Sequence, residues 1–321
     1  MRLENISMEK TQFNTREYNV IETIPFGLIK KSSSSDRLSD EVFYYDSIPK
    51  DVLYLFPRKV DSYFVEKKYN LVLEYYPYKN LGEYMICSDP FDWKQVFSNL
   101  KDVIEIMTKY EKESKNTSLY AKSMYIDKTY NEYNNFKKSY HDSELFSCST
   151  LVINGETYDN FEVIWERVKS IIESRLLQYK QTMIHGDMCF SNILYHHKIG
   201  SRFIDMRGSF GERGVYGDIM YDYAKLLHSV EGGYEFIIND QFAVAKFTNG
   251  VYHYQINKNK NKEESFTAYI NAFAGQDIDL IRLIEGLIFV GMCARHYDSK
   301  ERQLIMYLTG IKTLTEALSI I

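Results

Sequence analysis

The stretch MIHGDMCFSNILYHHKIGSRFIDMRG, Met183 to Gly208, holds three polar groups that a packed core has no use for: Asp187, Asn192 and Asp205. Asp187 ends a short apolar run and opens a loop, where a carboxylate within hydrogen-bond reach of a substrate hydroxyl can accept its proton. Asn192 follows five residues later, where the loop turns back, and its carbonyl oxygen can ligate a hard cation. Asp205 stands just past the strand-like SRFI, so a hairpin over NILYHHKIGSRFIDM, with its turn near Lys198 and Gly200, returns it beside Asn192. One neutral oxygen and one carboxylate, with positions left for water and phosphate, suit a nucleotide-bound Mg²⁺. The set reads as phosphoryl transfer, with Asp187 as base and Asn192 and Asp205 holding the metal on the phosphates.

HGDMCFSN resembles the HGDxxxxN catalytic loop of the aminoglycoside phosphotransferase and choline kinase superfamily, whose fold is protein-kinase-like. FIDMRG is similar to that superfamily's second metal motif, and YGDIMYDYAKL resembles its GDxxxDLA helix. Three motifs in this order are far more specific than a lone HGD, and the lobe pattern extends over nearly the whole chain. The resemblance implies Asp187 as catalytic base, Asn192 and Asp205 as Mg²⁺ ligands, and His185 as a structural member of the loop. It also implies that Asp218 and Asp222 brace the loop; Asp218 equally suits a helix N-cap.

The same resemblance implies an ATP site with a small-lobe lysine on the α- and β-phosphates and a helix glutamate paired with it. LIKKSSSS offers Lys30 and Lys31, and strand neighbours alternate faces, so only one can point inward. Lys31, at the strand end, is the preferred choice and Lys30 the alternative, with Glu41 as partner; in the bland reading both lysines are solvated. No GxGxxG occurs anywhere, which favours the small-molecule side of the superfamily over protein kinases. It leaves the covering of the phosphates open, with the run Ser32 to Ser35 as one candidate. LEYYP (Leu73 to Pro77) resembles the inter-lobe linker that meets adenine, although an edge strand and turn would carry the same residues.

These residues need elements to hold them. YNVIET and FGLIKK read as strands around a turn at Pro25, and DRLSDEVFYYDSI as a helix. YLFPRKVDSYFVE and YNLVLEYYP read as two more strands. From about Leu81 the periodicity turns helical: DWKQVFSNLKDVIEIMTKYEKE, the Tyr-rich residues Tyr120 to Phe146, and NFEVIWERVKSIIESRLLQYK. TMIHGD is a short strand, and DIMYDYAKLLHSV is a helix stopped by Gly232-Gly233. NKNKNKEES reads as a solvated loop or helix approach, and two apolar helices close the core. The expectation is α+β: residues 1–80 as a nucleotide-binding lobe, a small antiparallel sheet with one helix, and 81–321 as a larger, mainly helical catalytic lobe.

A chain of 321 residues with 45% hydrophobic content can bury a sizeable core. The net charge of −5 argues against general affinity for nucleic acid or an anionic membrane. The 4 cysteines lie far apart without a zinc spacing, which fits reduced thiols in the cytoplasm. MRLENISMEKTQFN lacks the apolar region of a secretory signal, and GLIFVGMCA is too short to span a bilayer.

Glycines recur every third residue in RGSFGERGVYG, as a flexible segment at the substrate entrance would have. Arg207 and Arg213 in it, and His296 and Asp298 in ARHYD, are candidate substrate contacts. IDMRGSFG followed by YGDIMYDYAKLLHS also resembles a branch of these kinases associated with bacterial surface-polysaccharide gene sets. The function expected is γ-phosphate transfer from ATP, with Mg²⁺, to a hydroxyl of a small metabolite. A sugar, or an amino alcohol such as choline boxed by tyrosines and Trp165, is the acceptor in view. A protein kinase and a catalytically inactive nucleotide-binding pseudokinase are the alternatives.

Overall fold

The computed structural model describes residues 19–321. The readings made on MRLENISMEKTQFN and on Tyr18 lie outside the described residues. Four antiparallel strands, β1 (Asn19–Ile24), β2 (Leu28–Ser33), β3 (Lys59–Val65) and β4 (Lys68–Glu74), form one sheet in the order β1-β2-β4-β3. Helix α1 (Arg37–Ser47) buries Leu38, Glu41, Tyr44 and Tyr45, which repeat at helical spacing. Glu41 thus sits on the face turned toward the protein, although it is charged.

The strand expected from Tyr54 starts only at Lys59. Residues Lys50–Leu55 wind into a 3₁₀ helix between Pro49 and Pro57, and Val52 and Leu55 bury one face of it at the three-residue period.

The remainder is mainly helical. It opens with α2 (Leu81–Ile86), started by an Asn80–Glu83 capping box, and α3 (Trp93–Met107), whose Val96, Leu100, Val103, Ile104 and Met107 are buried as the periodicity predicts. Next come β5 (Glu111–Lys112), α4 (Thr117–Ala121) and a π-helical turn over Lys122–Asp127 that runs into α5 (Lys128–Ser139), followed by α6 (Ser143–Ser147). Strands β6 (Thr150–Ile153) and β7 (Glu156–Asp159) precede α7 (Phe161–Arg175). The catalytic-loop region carries β8 (Gln181–Met183), β9 (Ile193–His196), β10 (Gly200–Phe203), β11 (Ser209–Phe210), β12 (Glu212–Arg213) and β13 (Tyr216–Gly217). Then follow α8 (Ile219–Val230), α9 (Tyr234–Ile238), β14 (Phe242–Lys246), β15 (Val251–Ile256), α10 (Lys260–Ala272), α11 (Ile278–Met292) and α12 (Lys300–Ile320).

Further features bear on the sequence expectation. A four-stranded sheet, β14-β15-β6-β7, was not foreseen. Its β6–β7 hairpin turns at Asn154-Gly155, both with positive φ, the Asn-Gly signal of a two-residue hairpin. NKNKNKEES is the helix approach of the two alternatives: Asn259 caps α10, and buried Asn261 donates to the carbonyls of Tyr84, Cys87 and Asp89. The stop after α8 falls where expected, but the left-handed Gly233 opens α9 rather than capping α8.

The glycine-rich segment is folded, not loose. Ser209–Phe210 pairs with Glu212–Arg213, and Tyr216–Gly217 pairs with β8. All four cysteines are free thiols. Among the described residues no helix is long and apolar enough to cross a membrane.

Candidate active site

The loop after β8 is fastened from three sides. β8 lies between β13 and β5, and Ile184 N–H donates to the Val215 carbonyl at 2.9 Å. Behind the loop, both Asp222 carboxylate oxygens accept 2.7 Å bonds, one from His185 N–H and the other from Gly186 N–H. Arg207 N–H reaches the His185 carbonyl at 3.0 Å, and Ile204 N–H the Asn192 carbonyl at 3.1 Å, which ties the loop to the return strand of the hairpin. Asp222 and His185 thus both hydrogen-bond to the backbone of this loop region. Asp218 caps α8 through Met220 N–H and accepts from the Tyr125 hydroxyl at 2.8 Å.

His185 is buried, and burial pushes its imidazole down to about 4, so it stands neutral. Its Nδ1 accepts from Asp187 N–H at 3.1 Å, which assigns the proton to Nε2, 3.0 Å from the Ile204 carbonyl. Gly186 has φ +78°, and a Cβ there would lie 2.7 Å from the Arg207 Cβ, so glycine alone fits where the two loops cross.

At the sheet end, Lys31 Nζ sits 2.6 Å from Glu41 Oε2 and 2.5 Å from Asp205 Oδ1. Burial lowers the lysine's pKa, but the Asp205 and Glu41 carboxylates more than offset this and hold it protonated. Asp205 has φ +59°, a left-handed conformation in which aspartate is among the more tolerated residues. Gly208, at φ +70°, allows the Asp205 loop to meet α1, because a Cβ there would run into the Asp40 carbonyl. The Tyr44 hydroxyl adds a 2.8 Å bond from α1 to the Ile184 carbonyl.

Lys31, Glu41, Asp187, Asn192 and Asp205 line one cleft of about 770 Å³ between the sheet and the helices. Ile21, Ile29 and Leu73 from the sheet, with Leu194 and Ile204 from the helical region, give one end an apolar slot beside linker residues Glu74 to Tyr76.

The sequence reading missed Lys225. Its ammonium, 4% exposed at the side chain, lies 2.8 Å from Asp187 Oδ1. Burial works against the charged carboxylate, yet Lys225 holds Asp187 well below the usual range. Lys225 sits within YDYAKLLH, three residues after Asp222 on α8, and the buried face of that helix was the available signal. Lys128 and Arg295 also line the cleft and were likewise passed over.

Of the other expected site residues, all but Arg207 lie elsewhere. Lys30 faces away from the cleft and pairs across strands with Glu22 at 2.5 Å. Arg207 does line the cleft. Arg213 turns to α1, binding Asp40 at 2.8 Å and lying over the Phe43 ring. His296 is buried against Tyr234, and Asp298 pairs with Arg302 at 3.0 Å; neither lines the cleft. Trp165 stacks on Tyr130, outside the cleft, so it forms no choline box there. Ser32 and Ser33 are buried, the Ser32 hydroxyl donates to Asn70, and none of Ser32 to Ser35 lines the cleft.

The donor set fits a magnesium ion bound with nucleotide phosphates. Asn192 Nδ2 donates to the Asp187 carbonyl at 2.9 Å, which leaves its Oδ1 for a cation. Asp205 supplies the carboxylate in the same cleft. Among the described residues no group of three or more His, Cys, Asp or Glu could hold a metal.

Comparison with solved structures gives the same fold throughout. A thermostable mutant of aminoglycoside phosphotransferase APH(4)-Ia aligns over 98% of this chain and 94% of its own, with TM-score 0.61 at 9% identity. The chain has the aminoglycoside phosphotransferase fold. APH(2")-IIia, solved with GDP and kanamycin, aligns over 99% of this chain and 95% of its own, with TM-score 0.53 and 12% identity. APH(3'')-Id from Streptomyces rimosus aligns over 88% and 92%, with TM-score 0.52 and 13% identity. This likeness is one of protein-kinase-like fold: an antiparallel N-terminal sheet on a helical C-terminal region. No protein-family model matches the chain, and no curated protein matches it.

Proposed function

We propose that this chain is an ATP- and Mg²⁺-dependent phosphotransferase acting on a hydroxyl of a small metabolite. Residues 1–80 act as the nucleotide lobe and 81–321 as the catalytic and substrate lobe. The observation that carries the reading is the meeting of the Lys31–Glu41–Asp205 chain and the Asp187–Asn192 loop in one cleft. Solved structures of the fold include a ternary complex with AMP-PNP and hygromycin B, a nucleotide beside a small molecule.

In this reading adenine enters the apolar slot by the linker, and Lys31, oriented by Glu41, meets the phosphates. Asn192 and Asp205 would hold Mg²⁺, which would neutralise charge on the phosphates. The acceptor oxygen attacks the γ-phosphorus, the bond to the β,γ-bridging oxygen breaks, and ADP leaves. Asp187 takes the hydroxyl proton. Held ionised by Lys225, it is a weak base, suited to orienting the hydroxyl and receiving the proton late, as a loose transition state permits. The reading places the protein in the cytoplasm, where ATP is available; a role in surface-polysaccharide synthesis belongs to the same reading.

The test is ADP release by the purified chain with Mg²⁺-ATP and a panel of small hydroxylated acceptors, alongside casein. Turnover on a metabolite supports the reading. Phosphate on casein alone would make it a protein kinase, and tight nucleotide binding without any turnover a pseudokinase.

A further inference from the structure

Beyond Asp187 the cleft wall carries more positive charge than Asp187 itself can balance. Building on the phosphotransferase reading, we propose that the acceptor is an anion: a hydroxylated small molecule that also bears a phosphate or carboxylate group. Lys128 from α5, Lys225 from α8, Arg207 and Arg295 all line this end, and α5, α8 and α11 add no carboxylate to the lining. Lys225 is committed to Asp187, and Arg295 is held by Glu132 through Nε and Nη2 at 3.1 and 2.9 Å.

Lys128 and Arg207 have no carboxylate partner among the described residues. Lys128 Nζ contacts only the Tyr221 hydroxyl, at 3.3 Å, and Arg207 Nε donates to the Ser209 carbonyl. Both cations lie over the same Tyr221 ring, Nζ at 5.5 Å and the guanidinium carbon at 6.0 Å from its centre. Two like charges sheltered over one ring and lacking a counter-ion are costly, and a bound anion removes that cost. Burial, then Arg207, Arg295 and Lys225, push the Lys128 pKa well below normal against an upward pull from Asp187, and a bound anion would add to that upward pull.

A choline-type cation or an amino sugar would meet this wall with repulsion. The γ-phosphate is not the anion in question, since Lys31 and the Asn192–Asp205 pair already face the nucleotide end. Tyr125 and Tyr234, with Leu287 and Ile288 of α11, give the wall an apolar face for a carbon skeleton.

Calorimetric titration of the full chain loaded with MgADP tests this, using hexose 6-phosphate, hexuronate, the neutral hexose and the amino sugar. At least one anion should bind about ten-fold tighter than the neutral hexose, equivalent to about 1.4 kcal/mol, and the amino sugar should bind no tighter than the neutral one. The two anion arms tell phosphate from carboxylate. Lys128→Met should remove the preference and Lys128→Arg restore it, with ADP affinity unchanged. No anion preference, or none lost in Lys128→Met, overturns the proposal. Repeated with MgAMP-PNP, anion binding should persist; competition with the γ-phosphate would also overturn it. Absent MgADP binding with anion preference intact would sink the phosphotransferase reading and leave the anion site standing.

Discussion

The two ends of the cleft are both charged but are built in opposite ways. At the sheet end, Lys31 lies between two carboxylates, Glu41 and Asp205, and its charge is over-compensated. At the helical end four cations face one lining carboxylate, Asp187, and charge is left over. A set in which the cation already has carboxylate partners is ready to exchange one such contact for a metal and phosphates. A set with surplus charge is completed only by what binds there. On the proposed reading, the contrast separates the nucleotide end from the acceptor end.

Asp187→Asn should have the largest effect, lowering turnover by about 10² to 10⁴ while ADP affinity measured by calorimetry stays within about two-fold. An equal fall in ADP affinity would mean that the two ends are not separable. Next comes Lys31→Met, which strands Glu41 in a buried site without its counter-charge. It also removes the cation that the proposed reading sets against the phosphates; truncating one partner of a hydrogen-bonded charge pair across an interface costs about 2 kcal/mol or more, so ADP binding should weaken by about 30-fold.

Lys225→Met acts through pH. Burial pushes the Asp187 carboxyl up and Lys225 pulls it down, so removing the lysine raises its pKa. Because the reaction needs the ionised form, the acid limb of kcat/KM should move to higher pH, and a profile superimposed on the parent's would dissociate the pair from catalysis. Gly208→Ala forces a side chain against α1 at a positive φ and should cost about 1–3 kcal/mol, read as a lowered Tm. The smallest effect is expected for Lys30→Ala. Its half-buried pair with Glu22 is worth about 0–1 kcal/mol, and ADP affinity should not change. A loss like that of Lys31→Met would reverse the assignment of the two neighbours.

Much of the site was legible because its residues are close in sequence. Asp187, Asn192 and Asp205 lie within one loop and one hairpin, so local rules of turn and alternation bring them together. The choice between Lys30 and Lys31 was posed by the two-residue strand period, yet only the tertiary structure set Lys31 in the cleft beside Glu41 and Asp205 and Lys30 against Glu22. The substrate candidates fared otherwise. Arg213, His296 and Asp298 satisfy neighbours of their own, whereas Lys128 and Arg295, unremarkable in the sequence, reach the cleft. The sheet joining β6 to β15 was equally hidden, because a parallel pairing across some 100 residues leaves no local period to read.

By itself the sequence determined the chemistry offered: one loop carboxylate, an amide and a second carboxylate at spacings that local backbone geometry closes. The tertiary structure decided the electrostatics around them. Coulomb interactions depend on distance and burial, and helices far apart in the chain set both, so the partner of Asp187 and the surplus of cations beside it exist only once the fold has brought them together.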